Sequence, residues 1–308
     1  MVYKGGPSQT VLSESPMKLF RHLRVGWYVL VVSVIAMAFA VDVLAKEMSI
    51  AARAKAPVSY ARPWVMVGLS PDGCSRGCRH VFSVVKELSG NPNGLIVHFS
   101  KVTPEWLAEL QPSFIILSPQ GTPWCRYNGE MGVSLQNFLW MLPMAAEEMN
   151  IPILGICGGH QALALAFGGK VGPIRAGEDD CMPYTRERQG GVVPLTLTTS
   201  DPIFRGIDGK LRILESHFDE VKVLPPGFLL LASDKRSPNQ IMRHPTKPVY
   251  GVQGHPESSY STRPEGRILI RNFLEIALAH NQTVRTVYGR LVPKFLSLLM
   301  LDRGFPGN

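Results

Sequence analysis

The sequence predicts an α/β fold with a mostly parallel central sheet and helices on both faces. Two observations carry that prediction. From Pro63 onward, short apolar runs alternate with amphipathic stretches in the order strand, helix, strand, helix, the spacing of parallel strands joined by helical crossovers. Within that series an apolar strand runs directly into the small-residue turn Gly155-Ile156-Cys157-Gly158-Gly159, with a helix behind it.

The elements follow in order. Trp64–Leu69 reads as a first strand. His80–Leu88 reads as a helix, because Val81, Val84, Val85 and Leu88 recur at helical spacing. Leu95–His98 is a second strand. Thr103 caps a short helix through Leu110, with Pro104 in its first turn and Glu105 after it. Phe114–Leu117 is a third strand, ending in the loop Ser118-Pro119-Gln120-Gly121-Thr122-Pro123. Leu135–Glu148 is helical, with a kink expected at Pro143, and Ile151–Ile156 is a fourth strand. Val192–Thr198, Leu211–Leu214, Val221–Val223 and Phe228–Ala232 read as a β-rich meander, and Pro248–Gln253 returns to a buried strand. Arg267–His280 is a helix. Residues 282–301 give a second one, with Val284, Val287, Leu291, Phe295, Leu298 and Leu299 on one side.

A charge-free run from Val25 to Val41 precedes all of this, with Trp27 and Tyr28 at its edge and Lys18, Arg21 and Arg24 before it. It is at the short end of the roughly 17–25 residues that span a bilayer. Its all-round apolarity argues against a buried helix of a water-soluble domain. Three readings stay open: a retained membrane anchor, a signal peptide cleaved near Ala38-Phe39-Ala40, or a true start downstream at Met48. The expectation is a transmembrane or signal segment at 25–45, giving a membrane partner and a catalytic domain on the cytoplasmic side. The alternative is export after cleavage. Residues 1–24 read as a polar and basic tail, 46–62 as a linker, 63–280 as the catalytic domain, and 281–308 as a C-terminal amphipathic helix and tail.

Hydrophobic residues make up 45% of the 308 and charged residues 18%, enough apolar mass for a real core. The net charge of +8 is scattered rather than gathered in a block. With no zinc-finger spacing and no aromatic ladder, no nucleic-acid partner is expected. The five cysteines leave at least one unpaired within the chain. Cys74 and Cys78, with His80 beyond, lack the further ligands of a zinc site, so no metal is expected. They read as two thiols in a glycine-rich loop, a disulfide being open to them only in an oxidising compartment. No cofactor is expected.

Cys157 sits where chemistry is expected. Small residues around it allow a sharp strand-to-helix turn that lifts the sulfur above the sheet. The turn also places it at a helix N-terminus, whose partial positive charge favours thiolate over thiol. The backbone N–H of Gly158 then points to where an oxyanion would form. Downstream, a buried strand delivers His255, Pro256 and Glu257 at its end. His255 can take the proton of Cys157 and later give it to a leaving amine. Glu257 can hold the imidazole in the tautomer that this requires.

Three stretches together resemble the signature blocks of class I glutamine amidotransferases: Gly155-Ile156-Cys157-Gly158-Gly159-His160-Gln161, Ser216-His217-Phe218-Asp219-Glu220 and Gly251-Val252-Gln253-Gly254-His255-Pro256-Glu257. The likeness covers roughly residues 62–280. It implies the family's flavodoxin-like fold, a Cys157–His255–Glu257 triad, and hydrolysis of the glutamine side-chain amide through a γ-glutamyl thioester. It further implies that Gln161, Ser216 and His217 bind the substrate and that Gly121, in the earlier loop, supplies an oxyanion donor beside Gly158. Two departures stand out. Gln120 lies near a position that is usually glycine, and Gly254 replaces a residue that is often bulky and apolar. No synthetase or phosphate-loop domain is evident, so an amidotransferase subunit would pass its ammonia to a separate synthetase partner. The alternatives are a stand-alone hydrolase of γ-glutamyl peptides or amines, and an inactive binding or regulatory module.

Overall fold

The computed structural model of the chain describes residues 62–302, apart from 179–180, 182–185, 208–210 and 259–263, with side chains to residue 284. The expectations made for residues 1–24 and 25–45, and for almost all of the linker, lie outside the described residues. The fold lies within one compact unit, Pro57–Val284, apart from the last part of the final helix.

The sheet begins as the sequence predicts. Strands β1 (Trp64–Gly68), β2 (Gly94–His98), β3 (Ile115–Leu117), β4 (Ile153–Ile156) and β11 (Val249–Val252) pair in parallel in the order β2-β1-β3-β4-β11. Because side chains alternate along a strand, each central strand feeds two cores. Trp64, Met66, Ile116, Leu154 and Ile156 enter one, and Val65, Val67, Ile115, Leu117 and Ile153 the other. Burial on both faces explains why these strands carry no polar alternation.

The helices cover those two faces. Helix α1 (Arg76–Ser89) is capped by Ser75, whose hydroxyl accepts from Cys78 N, and ends on Gly90 in the left-handed region. It packs Val81, Val84 and Val85 into the first core, beside Leu269, Ile270 and Phe273 of α5 (Glu265–Asp302). Helices α2 (Pro104–Leu110), α3 (Gly129–Glu147) and α4 (Gly158–Ala166) face the second core through Leu107, Phe138, Leu142 and Leu163. Thr103 caps α2 as predicted, accepting from Trp106 N. Helix α3 starts well before Leu135, with Gly132 in its first turn where a Cβ would lie 2.6 Å from Tyr127 O. A glycine-containing first turn hid that start. The two C-terminal helices expected at 267–280 and 282–301 are one element, since no glycine or proline breaks the chain between them.

Beyond β11 the sheet turns antiparallel through β10 (Ile241–Arg243), β9 (Leu229–Ser233), β6 (Gln189–Leu197) and β7 (Leu211–His217), making nine strands among the described residues. A separate pair joins β5 (Lys170–Pro173) to β8 (Asp219–Val223). β5 and β10 escaped the sequence reading because β5 contains Gly172 and Pro173, and β10 is three residues ending in Arg243, so neither forms a continuous apolar run. β7 runs three residues past Leu214, and Leu214 O accepts from His255 N at 2.8 Å. That bridge ties the end of the meander to the segment after β11.

The cysteines correct one expectation. Cys74 and Cys78 are bonded to each other rather than free, and Cys125 is bonded to Cys181, which leaves Cys157 free and buried. The membrane expectation concerns residues 25–45, outside the described residues. Among the described residues no helix is long and apolar enough to cross a membrane. The longest, α5, carries Glu265, Arg267, Arg271 and Glu275 in its first three turns, charges that cost several kcal/mol each in a bilayer core.

Candidate active site

Strand β4 delivers Cys157 into a backbone that few side chains tolerate. Its φ of 51° and ψ of −106° are strained for a residue with a Cβ. The surrounding sequence enforces this turn. A Cβ on Gly155 would overlap Gly159 O, and one on Gly159 would overlap Leu117 O. Cys157 N donates to Val252 O at 2.8 Å, and Cys157 O accepts from Gln161 N at 3.1 Å. The sulfur therefore stands at the join of β4, β11 and the first turn of α4.

His255 and Glu257 meet it from the next strand. His255 Nδ1 lies 2.8 Å from a Glu257 oxygen. The carboxylate only accepts, so this nitrogen carries the proton. The other side of the ring hydrogen-bonds Cys157. Burial opposes charge on His255, but the Cys157 sulfur and then Glu257 outweigh it and hold the imidazole well above its usual range. The structure thus brings Cys157, His255 and Glu257 into one constellation.

The two departures have local explanations. Gln120 packs its stem over Gly158, where a Cβ would overlap Gln120 Cγ and lie 2.9 Å from Gln120 N. Its amide lies 3.3 Å from the Tyr127 hydroxyl, whose one proton goes to Leu69 O at 2.6 Å. The Gln120 side chain is drawn aside in this way, and its backbone N stays against the elbow. Gly121 faces open space, with nothing within 4 Å of an added Cβ. At Gly254 a bulky residue is excluded rather than missing, because its Cβ would overlap Ile213 and Glu215.

Gln161, Ser216 and His217 lie in a connected polar layer. Gln161 Oε1 accepts from Trp124 Nε1 at 2.8 Å, and its amide donates to Asp219 O at 2.7 Å and Gln253 Oε1 at 3.2 Å. The Gln253 amide in turn reaches the Cys157 sulfur at 3.9 Å. Ser216 Oγ accepts from Arg188 at 2.7 Å. Buried His217 donates through Nδ1 to Asp219 O at 2.9 Å, and the Asp219 carboxylate pairs with Arg186. His160, fully buried on α4, hydrogen-bonds Asn239 O instead of any triad member. Sequence reasoning gave no role to Gln253, Trp124 or Asp219. Gln253 and Asp219 sat inside the motif blocks, while Trp124 lay in a loop whose fold the sequence did not reveal.

Known proteins bear on this arrangement. Over 172 residues the chain is 40% identical to a subunit of the glutamine-hydrolysing GMP synthase of Thermococcus kodakarensis, a match covering 56% of this chain and 79% of that one. The corresponding subunit of Pyrococcus abyssi is 38% identical over 182 residues, covering 58% and 85%. Among solved structures, a Thermoplasma acidophilum protein assigned as a GMP synthase subunit superposes with a TM-score of 0.56 at 25% identity, covering 72% of this chain and 97% of that one. PurLQS of Thermotoga maritima, at 18% identity, shares the fold with a TM-score of 0.51 over 70% of this chain and 99% of that one. That these relatives are GMP synthase subunits tells against the membrane reading of residues 25–45, anchored or exported. The sequence model of the class-I glutamine amidotransferase family matches residues 85–277, and the chain belongs to that family of enzymes.

Proposed function

We propose that residues 63–280 form a glutaminase domain that hydrolyses the side-chain amide of glutamine and hands the ammonia to a separate synthetase subunit. The observation that carries this reading is the hydrogen bond between His255 Nδ1 and Glu257, with the opposite side of the ring on the free Cys157. The resemblance to subunits of glutamine-hydrolysing GMP synthases supports a second chain as the acceptor of the ammonia.

The chemistry follows from the geometry. The Cys157 sulfur attacks the amide carbon of glutamine, and the carbonyl electrons move onto oxygen. The backbone N–H groups of Gly158 and of the Gln120–Gly121 loop stabilise that oxyanion, an effect worth about 3–4 kcal/mol per donor. As the tetrahedral centre collapses, His255 gives its proton to the departing nitrogen and ammonia leaves a γ-glutamyl thioester. His255 then takes a proton from water, which attacks the thioester and releases glutamate and the thiol. Glu257 keeps the ring in the needed tautomer and offsets its charge. Gln161, Ser216 and His217 shape the pocket for the amino-acid end of the substrate.

Glutamate release by the full chain, with and without the synthetase component of a GMP synthase, is the decisive assay. The expected result is Cys157-dependent turnover of glutamine that rises with the partner and disappears in Cys157→Ala. Turnover of γ-glutamyl amines in preference to glutamine, unchanged by any synthetase, would replace this reading with a stand-alone hydrolase. No turnover in either setting would sink it.

A further inference from the structure

Glu215 is fully buried on β7, and neither carboxylate oxygen has a hydrogen-bond partner. An unpaired carboxylate in that position costs several kcal/mol. Its one ion-pair contact is His217 Nε2 at 3.2 Å, from a ring that is 1% exposed. The protons on that ring can be assigned from its partners. Nδ1 faces the Asp219 carbonyl at 2.9 Å, and a carbonyl only accepts, so Nδ1 carries a hydrogen. A neutral ring would then turn the Nε2 lone pair against a buried carboxylate. A second proton, on Nε2, removes that repulsion and gives Glu215 the partner that it lacks.

One further feature agrees. Gly254 leaves the volume beside β7 that the Glu215 carboxylate occupies. We propose that His217 is an imidazolium held by Glu215, and that this buried ion pair positions the glutamine pocket. A charged donor makes a shorter and stronger hydrogen bond than a neutral one. His217 thereby pins the Asp219 carbonyl, which also receives the Gln161 amide, and Gln161 leads through Gln253 to the Cys157 sulfur. Glu215 is a positioning residue in this scheme. The positioning half rests on the glutaminase reading above, whereas the charge state of His217 does not.

The test pairs spectroscopy with kinetics on the full chain. Nitrogen-15 NMR of histidine-labelled protein at neutral pH should show both His217 ring nitrogens protonated, and only one protonated in Glu215→Leu. Glu215→Leu should raise the KM for glutamine about tenfold while kcat stays within about threefold. In Glu215→Gln the side-chain amide can donate to a neutral Nε2 and preserve the Nδ1 hydrogen, so KM should return to within about threefold of the parent. A singly protonated His217 in the parent protein overturns the ion pair. An unchanged KM in Glu215→Leu overturns the positioning role, as does a failure of Glu215→Gln to restore it. Should the parent chain release no glutamate at all, the glutaminase reading and the positioning role fall together, and a doubly protonated His217 would still establish the ion pair.

Discussion

The molecule contains two histidine–glutamate pairs of the same spacing, Glu215 with His217 and His255 with Glu257, and they do opposite things. In the second pair the carboxylate takes Nδ1 at 2.8 Å, which leaves the far side of the ring to meet Cys157. In the first pair the carboxylate contacts Nε2 at 3.2 Å, and Nδ1 is left to hold a backbone carbonyl. Exposure follows the same division, with side-chain values of 16% for His255 and 1% for His217. The ring nitrogen that the carboxylate takes therefore decides whether an imidazole is free for proton transfer or fixed as a structural donor. Residue type and spacing alone do not distinguish the two.

The largest effect should come from breaking the outer pair. His255→Ala removes the group proposed to move the proton, and should lower glutamine turnover on the order of 10³-fold. Glu257→Gln keeps the shape and loses the charge, and should cost on the order of 10²-fold or more, mainly in kcat. The matching change in the inner pair, Glu215→Gln, acts on KM and only weakly. Steady-state kinetics of the three variants, run side by side, test the contrast. Similar kcat losses in Glu257→Gln and Glu215→Gln would erase it.

The outer pair was legible in the sequence and the inner one was not. His255-Pro256-Glu257 follows a continuously apolar strand, so its place at a strand end could be read directly. The predicted strand at 211–214 stopped where Glu215 begins, because a charged residue normally marks the edge of a buried run. In the structure the strand goes on to His217, with residues 211, 213, 215 and 217 all buried. A carboxylate buried beside a histidine of its own strand breaks the hydrophobic period from which strands are read. The central parallel strands β1, β3, β4 and β11 were legible for the opposite reason, since they are buried along their whole length. Trp124 could not have been found in this way. It sits in a short 3₁₀ turn, and its hydrogen bond to Gln161 depends on long-range folding alone.

A third histidine sharpens the comparison at lower pH. His160 is buried without a carboxylate, and burial pushes it down to about 3 from an ordinary 6.5. The unfolded chain therefore binds a proton at this site below about pH 6.5 that the folded chain refuses. Stability is fully present above that pH and falls as the pH drops toward 3. Between pH 7 and pH 4 this one group should cost on the order of 3 kcal/mol. His160→Asn keeps an amide donor for the Asn239 carbonyl and cannot titrate. Denaturant unfolding at the two pH values should show a loss smaller by about that amount in the variant. Equal losses in both proteins would mean that His160 takes its proton without unfolding.

The smallest effect concerns the space that lets the inner pair exist. Gly254 lies against Ile213 and Glu215, and any Cβ there would overlap both. Gly254→Val should therefore destabilise the fold by about 1–3 kcal/mol through overpacking, although valine suits an extended backbone. Part of that cost belongs to the Glu215 carboxylate and part to Ile213. Adding Glu215→Ala to Gly254→Val should recover a measurable fraction, giving a coupling of about 0.5–3 kcal/mol in a double-mutant cycle of unfolding free energies. Strict additivity would show that the two side chains do not compete for one volume. A positive coupling would establish that the missing bulk at Gly254 and the buried charge at Glu215 are one structural feature, since each occupies or vacates the same space.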